Sequence, residues 1–200
     1  MRLKIDAAGK CDRARFVASP NADERPASMP IELIVVHNIS LPPAVFEGDA
    51  VERLFTNRLD PNAHPYFAQI AHLRVSAHFF IRRDGEVIQF VEADRRAWHA
   101  GASQWRGRQR CNDFSVGIEL EGTDELAYAD AQYVSLAALI RALRRAYPTI
   151  VGVTGHEHIA PGRKTDPGPS FDWTRLRRMA RLSHSMLNCD ATLTNSHGAP

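Results

Sequence analysis

The chain has 200 residues, of which 44% are hydrophobic, and its formal net charge is +2. This content suffices for one domain with a sizeable core, while the low net charge and the lack of a basic tract argue against a nucleic-acid partner. The three cysteines, Cys11, Cys111 and Cys189, have neither metal-site nor redox spacing, so a reducing compartment is expected.

The first residues carry no apolar core of a secretion signal, and no segment reaches membrane-spanning length. We therefore expect a cytoplasmic monomer with no membrane partner. Nothing divides the sequence into two parts, and the hydrophobic periodicity is lost near residue 183. The sequence thus predicts one domain over residues 1–182 and a flexible tail over residues 183–200.

The first half of the chain predicts a strand, a short helix and a hairpin. A run of β-branched residues predicts a buried strand over 31–37, which ends at His37 before Pro42 and Pro43. A short helix is expected near 49–58 and a strand over 76–82. A turn signal at 83–86 then leads into a strand over 87–91.

The second half predicts two strands and two longer helices. Residues 115–121 alternate, with Glu119 and Glu121 on one face and apolar residues on the other. A helix is expected from Asp130, as its N-cap, to the residue before Pro148, and then a strand over 150–154. A last helix is expected over 172–182, with its arginines on a solvated face. These elements predict an α/β (α+β) domain in which helices flank a central mixed sheet.

The segment 155–168 contains His156, Lys164 and Asp166 among glycines and prolines that disfavour a helix. Two residues able to bind a metal thus lie about ten positions apart, and His37 at the end of a core strand is the best candidate for a third ligand. Each residue also has an ordinary structural interpretation. His37 could be a core histidine, Lys164 a solubilising loop charge and Asp166, before a proline, a turn residue.

Several ungapped segments of the chain are similar to the AmpD family of cytoplasmic zinc N-acetylmuramoyl-L-alanine amidases. They occur in the family's order and together span roughly residues 15–180, so the resemblance is more specific than any single motif. The segments are VVHNISLPP at 35–43, DPNAHPYF at 60–67, HLRVSAHF at 72–79, RRAWHAG at 95–101, CNDFSVGIELEGTD at 111–124 and RKTDPGPSFDW at 163–173.

The resemblance implies the amidase and peptidoglycan-recognition fold and one zinc ion per chain. It implies hydrolysis of the amide between 1,6-anhydro-N-acetylmuramic acid and L-alanine in muropeptides, for peptidoglycan recycling and control of β-lactamase induction. The implied zinc ligands are His37, His156 and Asp166, and the implied catalytic residues are Glu119 and Lys164. The implied substrate contacts are Asn38, Tyr66, Arg74, Trp98, Arg110 and Ala160.

Some alternatives stay open. Pattern alone does not separate Glu119 from Glu121, and only the resemblance favours Glu119. His158 departs from the family, and we expect it to point away from the metal, with Glu157 exposed beside it. The remaining histidines of the matched segments are expected to be structural. Three other classes of protein are a non-catalytic peptidoglycan-recognition module, a structural zinc domain with His158 as fourth ligand, and a zinc peptidase acting on the stem peptide.

Overall fold

The computed structural model of the protein describes residues 2–187. Within this range it contains ten strands and five α-helices. In chain order they are β1 Arg15–Phe16, β2 Ala22–Asp23, β3 Leu33–Ile39, α1 Ala50–Phe55, α2 Pro65–Ile70, β4 Phe79–Ile81, β5 Val87–Gln89, β6 Arg96–Ala97, β7 Gln104–Trp105, β8 Arg108–Gln109, β9 Ser115–Glu121, α3 Asp130–Ala146, β10 Gly152–Gly155, α4 His156–Ile159 and α5 Trp173–Ala180. Cys111–Asp113 and His184–Met186 form 3₁₀ turns.

Six strands form the central sheet, in the order β1-β5-β4-β9-β3-β10. β3 is parallel to both of its neighbours, β9 and β10, and β4 is parallel to β9. β4 and β5 are antiparallel, joined by the predicted hairpin turn, and β1 adds a parallel edge. The predicted α/β fold with a central mixed sheet is therefore confirmed.

Three hydrophobic clusters of buried residues pack against the sheet. The apolar face of β9, with Val116, Ile118 and Leu120, packs in the first with α3 and α5. The second joins α1 to the opposite face of the sheet and includes Phe55 and Phe80, and the third includes Leu33 and Val35 of β3. Since burying a large apolar side chain contributes roughly 1.5–3 kcal/mol, these contacts rather than helix propensity hold α3 in place.

The start of α3 differs from the prediction. The helix begins at Asp130, and the residue before it, Ala129, is the N-cap. The Ala129 N–H donates to the Gln132 side chain at 3.0 Å, and the Gln132 amide donates to the carbonyls of Ile81 and Glu121. Gln132 thus anchors the helix to the ends of β4 and β9, while Asp130 forms an ion pair with Arg175.

Other element boundaries also differ. β3 continues to Ile39, so His37 lies inside the strand rather than at its end. The short helix after it ends at Phe55, because Asn57 has a left-handed φ of 59°. The predicted strand over 76–82 is reduced to the three residues of β4.

α2 was not predicted, although its start has a recognisable signal. The His64 Nδ1 accepts a hydrogen bond from the Tyr66 N–H, and Pro65 occupies the first helical position. The last helix, α5, is close to the prediction, since Asp172 caps it by accepting from the Arg175 N–H at 2.8 Å.

The predicted tail over 183–200 lies mostly outside the described residues. Its described part, 183–187, contains the second 3₁₀ turn, and Leu187 forms a parallel bridge with Val153 of β10. The domain boundary near 182 stays a prediction. In the part of the chain that the structure describes, no helix is both long and apolar enough to span a membrane.

Candidate active site

Parallel strand pairing brings the predicted catalytic residues to one edge of the sheet. In the register of β3 and β9, His37 lies directly opposite Glu119. β10, on the other side of β3, ends at Gly155 opposite Val36. His156 follows immediately, so it emerges beside His37 at the carboxyl ends of these strands, where sheets of this kind bind ligands.

His156 begins the one-turn helix α4, and the expectation that the segment 155–168 contains no helix was therefore wrong. Gly155 precedes the turn in an extended conformation, and four residues fit before Ala160 and Pro161 end it. The Glu157 N–H donates to the Asp166 carbonyl at 2.9 Å. This bond turns the rest of the segment back so that Asp166 lies beside His156.

The three predicted metal ligands meet at one point. The His37 Nδ1 lies 3.0 Å from the His156 Nδ1 and 3.0 Å from the Asp166 Oδ2, and the His156 Nδ1 lies 3.1 Å from the same oxygen. Both imidazoles are buried, and the Asp166 side chain is 15% exposed. Among the described residues, these three form the group whose donor atoms are close enough to hold a metal ion.

The hydrogen bonds of His156 show why a cation fits this point. The His156 Nε2 lies 3.1 Å from the Ala100 carbonyl, which can only accept, so Nε2 carries the proton of the neutral ring. The Nδ1 then has a lone pair directed at a carboxylate oxygen. Two acceptors so close repel each other unless a cation lies between them. Tetrahedral ligands at zinc bond lengths lie about 3.3 Å apart, close to the spacing observed.

Burial also keeps His37 in its neutral form. Loss of solvent and the nearby His156 lower the pKa of His37 from 6.5 to about 4, despite the carboxylate of Asp166. A neutral imidazole has a free lone pair, which is the form that ligates metals.

The structure separates Glu119 from Glu121, which the sequence pattern could not do. The Glu121 carboxylate accepts hydrogen bonds from the Arg82 side chain and the Arg83 N–H. The Glu119 Oε2 is buried without a hydrogen-bond partner among the described residues, and Glu119 lines the same cleft as His37. Burial and the charge of Asp166 raise the pKa of Glu119 well above 4.5, against the opposing effect of Lys164.

The site lies in a cleft of about 710 Å³. The cleft is lined by the three-residue cluster, Glu119 and Lys164, and Lys164 makes no side-chain hydrogen bond or ion pair to the residues described. Apolar side chains that follow β3 or lie on or near α1 and α2 line it as well, including Leu41, Leu54, Phe55, Ile70, Leu73 and Val75. The lining thus offers a ligand both polar partners and apolar contacts.

Two of the six predicted substrate contacts line the cleft. They are Tyr66 and Asn38, and the Asn38 amide donates to the Asp124 carboxylate at 2.7 Å. The other four lie outside the cleft lining in this structure. Arg74 is exposed and donates to the His72 carbonyl, Arg110 is 70% exposed and pairs with Asp113, Trp98 is partly buried beside Asp23, and Ala160 is buried at the end of α4.

Several cleft residues were not predicted to be functional, and Arg163, Asp124 and His99 are three of them. Arg163 donates to the carbonyls of Ala100 and Ala102, and Asp124 holds Asn38. His99, expected to be merely structural, places its Nδ1 2.9 Å from the Nε2 of His37. Its position in the matched RRAWHAG segment was the available signal, but sequence spacing does not reveal a contact across 62 residues.

His158 lies outside the metal-ligand cluster. Its Nδ1 accepts a hydrogen bond from the Gly155 N–H at 3.2 Å, and its ring packs edge-on against Trp173. Glu157 differs from expectation, since it is partly buried rather than exposed. Burial, together with the charges of Asp124 and Asp166, raises the pKa of Glu157 from 4.5 to about 7.

The chain is similar to a known protein family over most of its length. A family model described as N-acetylmuramoyl-L-alanine amidase (Amidase_2) matches residues 27–169. The 1,6-anhydro-N-acetylmuramyl-L-alanine amidase AmpD of Citrobacter freundii is 64% identical over 171 residues, which cover 85% of this chain and 91% of that protein.

Solved structures agree with the family match. A crystal structure of an AmpD derivative is 62% identical, has a TM-score of 0.84, and is matched over 86% of this chain and 97% of its own. A complex of the Escherichia coli amidase AmiD with anhydro-N-acetylmuramic acid-L-Ala-D-γ-Glu-L-Lys is 26% identical, with a TM-score of 0.56 over 80% of this chain and 65% of its own. The resemblance inferred from sequence is therefore confirmed.

Partial burial of Glu157 predicts that the native state of the metal-free protein becomes less stable as the pH rises. Between pH 4.5 and 7 the native state keeps a proton that the unfolded chain has lost, so native stability falls as pH rises through this window. With the side chain 29% exposed, we expect this cost to reach ~1–2 kcal/mol. Glu157→Gln should remove it, so that urea unfolding shows a gain over the parent at pH 8 and little gain at pH 4.5. An equal gain at both pH values would contradict the assignment.

Proposed function

The chain belongs to the N-acetylmuramoyl-L-alanine amidase family, and we propose that it hydrolyses the amide between 1,6-anhydro-N-acetylmuramic acid and L-alanine in muropeptides. The observation that carries this proposal is the convergence of His37, His156 and Asp166 on one point in a cleft. The sequence similarity supplies the substrate class, because relatives named for this activity are similar over most of both chains.

Zinc is the metal that this donor set favours. Two imidazoles and one carboxylate are a borderline set that suits zinc, and three protein ligands leave a coordination position for substrate or water. When bound, zinc supplies Lewis acidity that polarises a carbonyl oxygen and acidifies a water molecule. His37, His156 and Asp166 would hold it, one ion per chain.

Glu119 is placed for proton transfer. Burial and the charge of Asp166 raise its pKa well above 4.5, and its Oε2 is free of other hydrogen bonds among the described residues. We assign it to take a proton from the attacking water and to deliver a proton to the leaving amine of L-alanine. Glu121, held by Arg82 and Arg83, has no comparable freedom.

Lys164 supplies positive charge at the mouth of the site. It lies two residues before Asp166, lines the cleft and has no described carboxylate partner. Attack on the lactyl carbonyl puts negative charge on its oxygen. An ammonium group already placed beside that oxygen stabilises the charge without any rearrangement of the site. We therefore assign Lys164 to stabilise the oxyanion.

The substrate-contact assignments remain part of the proposal. Asn38 and Tyr66 line the cleft, and we assign them to contact the sugar and its lactyl group. Arg74 and Arg110 are exposed outside it, so contact with them requires a stem peptide that extends past the cleft. Arginine holds carboxylates in paired hydrogen bonds, which suits the free carboxylates of such a peptide. Trp98 and Ala160 are proposed as contacts on the family resemblance alone.

The biological setting that we propose follows from the family. A cytoplasmic amidase of this kind acts on imported cell-wall fragments rather than on the intact wall. Hydrolysis would return the sugar and the stem peptide for reuse. It would also lower the pool of muropeptides that induces β-lactamase.

Product identification tests the function. We expect the zinc-loaded protein to convert anhydro-N-acetylmuramyl-tripeptide into two products, the anhydro sugar acid and the free tripeptide, each identified by mass. The reaction should stop when a chelator removes the metal and resume when zinc is returned. Cleavage within the tripeptide would identify a peptidase instead, and binding without cleavage would identify a recognition module.

Substitution of the ligands tests the metal assignment. His37→Ala, His156→Ala or Asp166→Ala should each greatly weaken zinc binding, measured by competition with a chromophoric chelator, and abolish turnover. His158→Ala is the matched control, because His158 is two residues from His156 but hydrogen-bonds Gly155. If His158→Ala removes the metal while His156→Ala retains it, the ligand set is wrong.

A pair of glutamate variants separates proton transfer from metal binding. Glu119→Gln should retain about one zinc per chain and bind substrate, yet lose on the order of 10²–10⁴ in kcat, because the amide cannot carry the proton. Glu121→Gln should change kcat little and act mainly on stability, since Glu121 bonds Arg82 and the Arg83 N–H. The opposite pattern in kcat would mean that the wrong glutamate of β9 has been assigned.

A further inference from the structure

A hydrogen-bonded chain leads away from His37 into the sheet. The His37 Nε2 lies 2.9 Å from the His99 Nδ1, and the His99 Nε2 lies 3.1 Å from the Ser115 hydroxyl. The Ser115 hydroxyl lies 2.6 Å from the Cys111 carbonyl. His37, Ser115 and Cys111 are buried, and His99 is partly buried between them.

The Cys111 carbonyl, the last group in this series of hydrogen bonds, fixes the direction of each of them. The Cys111 carbonyl can only accept, so the single hydroxyl proton of Ser115 is donated to it. Ser115 must then accept from the His99 Nε2–H. A neutral His99 ring has one N–H, and with that proton on Nε2 its Nδ1 has a lone pair. The His37 Nε2–H donates to that lone pair, which leaves the His37 Nδ1 unprotonated and directed at the metal point.

Asp166 alone would favour the other tautomer of His37, with the proton on Nδ1. The Asp166 Oδ2 lies 3.0 Å from the His37 Nδ1 and, without a metal ion, is an acceptor for a proton on that nitrogen. A neutral imidazole has only one proton, so Asp166 and His99 compete for it from opposite sides of the ring. The lone pair of His99 therefore determines whether His37 presents a ligand atom or a proton to the metal point.

Two further features hold the His99 ring in this place. A Cβ added at Gly117 would lie 2.4 Å from the His99 Cγ and 2.6 Å from its Nδ1, so the ring occupies the space that a glycine leaves on β9. The Asn112 side chain accepts from the backbone N–H groups of His99 and Ala100 at 3.2 and 2.8 Å. The ring is thus fixed by packing and by its backbone.

We infer that His99, oriented by Ser115, is a positioning residue that fixes His37 in the tautomer able to bind zinc through Nδ1. The inference rests on the proposed zinc site and goes beyond it by assigning a role outside the ligand set. Partners that orient a metal-ligating histidine commonly change metal affinity or activity by 10–100-fold.

Three variants test the inference. His99→Leu removes the acceptor, and we expect its zinc dissociation constant to rise by 10–100-fold in chelator competition. His99→Asn places an amide oxygen near the former Nδ1, and we expect it to restore most of the affinity. His78→Leu is the matched control, because His78 is a neighbouring buried histidine that binds the Gly117 N–H and the Arg95 carbonyl but no proposed ligand. It should lose native stability in urea and keep zinc affinity within a few-fold of the parent.

NMR of the ¹⁵N-histidine-labelled, zinc-loaded parent tests the same inference without any substitution. We expect His99 to carry its proton on Nε2 and to show a scalar coupling between its Nδ1 and the His37 Nε2 across the hydrogen bond. Zinc affinity of His99→Leu within threefold of the parent, a loss no greater than that of His78→Leu, or a proton on the His99 Nδ1 would each overturn the inference. Failure of the parent itself to bind zinc would instead refute the proposed function.

Discussion

The site depends on the parallel pairing of three neighbouring strands. β9, β3 and β10 run in the same direction, so their carboxyl ends lie at one edge of the sheet, and the register places His37 opposite Glu119. A shift of one residue in β3 would turn His37 to the other face of the sheet and away from both Glu119 and His156. The buried side chains of β3 pack in hydrophobic clusters on both faces of the sheet and oppose such a shift, so core packing determines where the site residues lie.

Charge and hydrogen bonding at this edge suit the binding of a cation. His156 is oriented by the Ala100 carbonyl and His37 by His99, so both imidazoles direct lone pairs at Asp166. In the absence of a positive charge these acceptors repel one another, and a metal ion converts that repulsion into attraction. Metal binding at the proposed site would therefore stabilise the native state.

Much of this arrangement could be predicted from the sequence. The β-branched run before His37, the alternation of 115–121 and the long amphipathic pattern of α3 each gave the correct element, because strong periodicity reflects burial of one face. Short elements escaped prediction, since α2 and α4 have only six and four residues and depend on tertiary contacts such as the bond from Glu157 to the Asp166 carbonyl. The alternation of residues 115–121 also could not decide between Glu119 and Glu121. The two share a face, and tertiary contacts distinguish them, because Arg82 and Arg83 bind Glu121 while Glu119 lines the cleft.

The most direct test of the central claim is a crystal structure of the zinc-loaded protein with the metal located by anomalous scattering. The account predicts one ion within about 2.0–2.2 Å of the His37 Nδ1, the His156 Nδ1 and a carboxylate oxygen of Asp166. It also predicts that the His37 Nε2 remains hydrogen-bonded to the His99 Nδ1. An ion bound through the Nε2 of either ring, or held by His158 or His99 in place of a proposed ligand, would contradict the account.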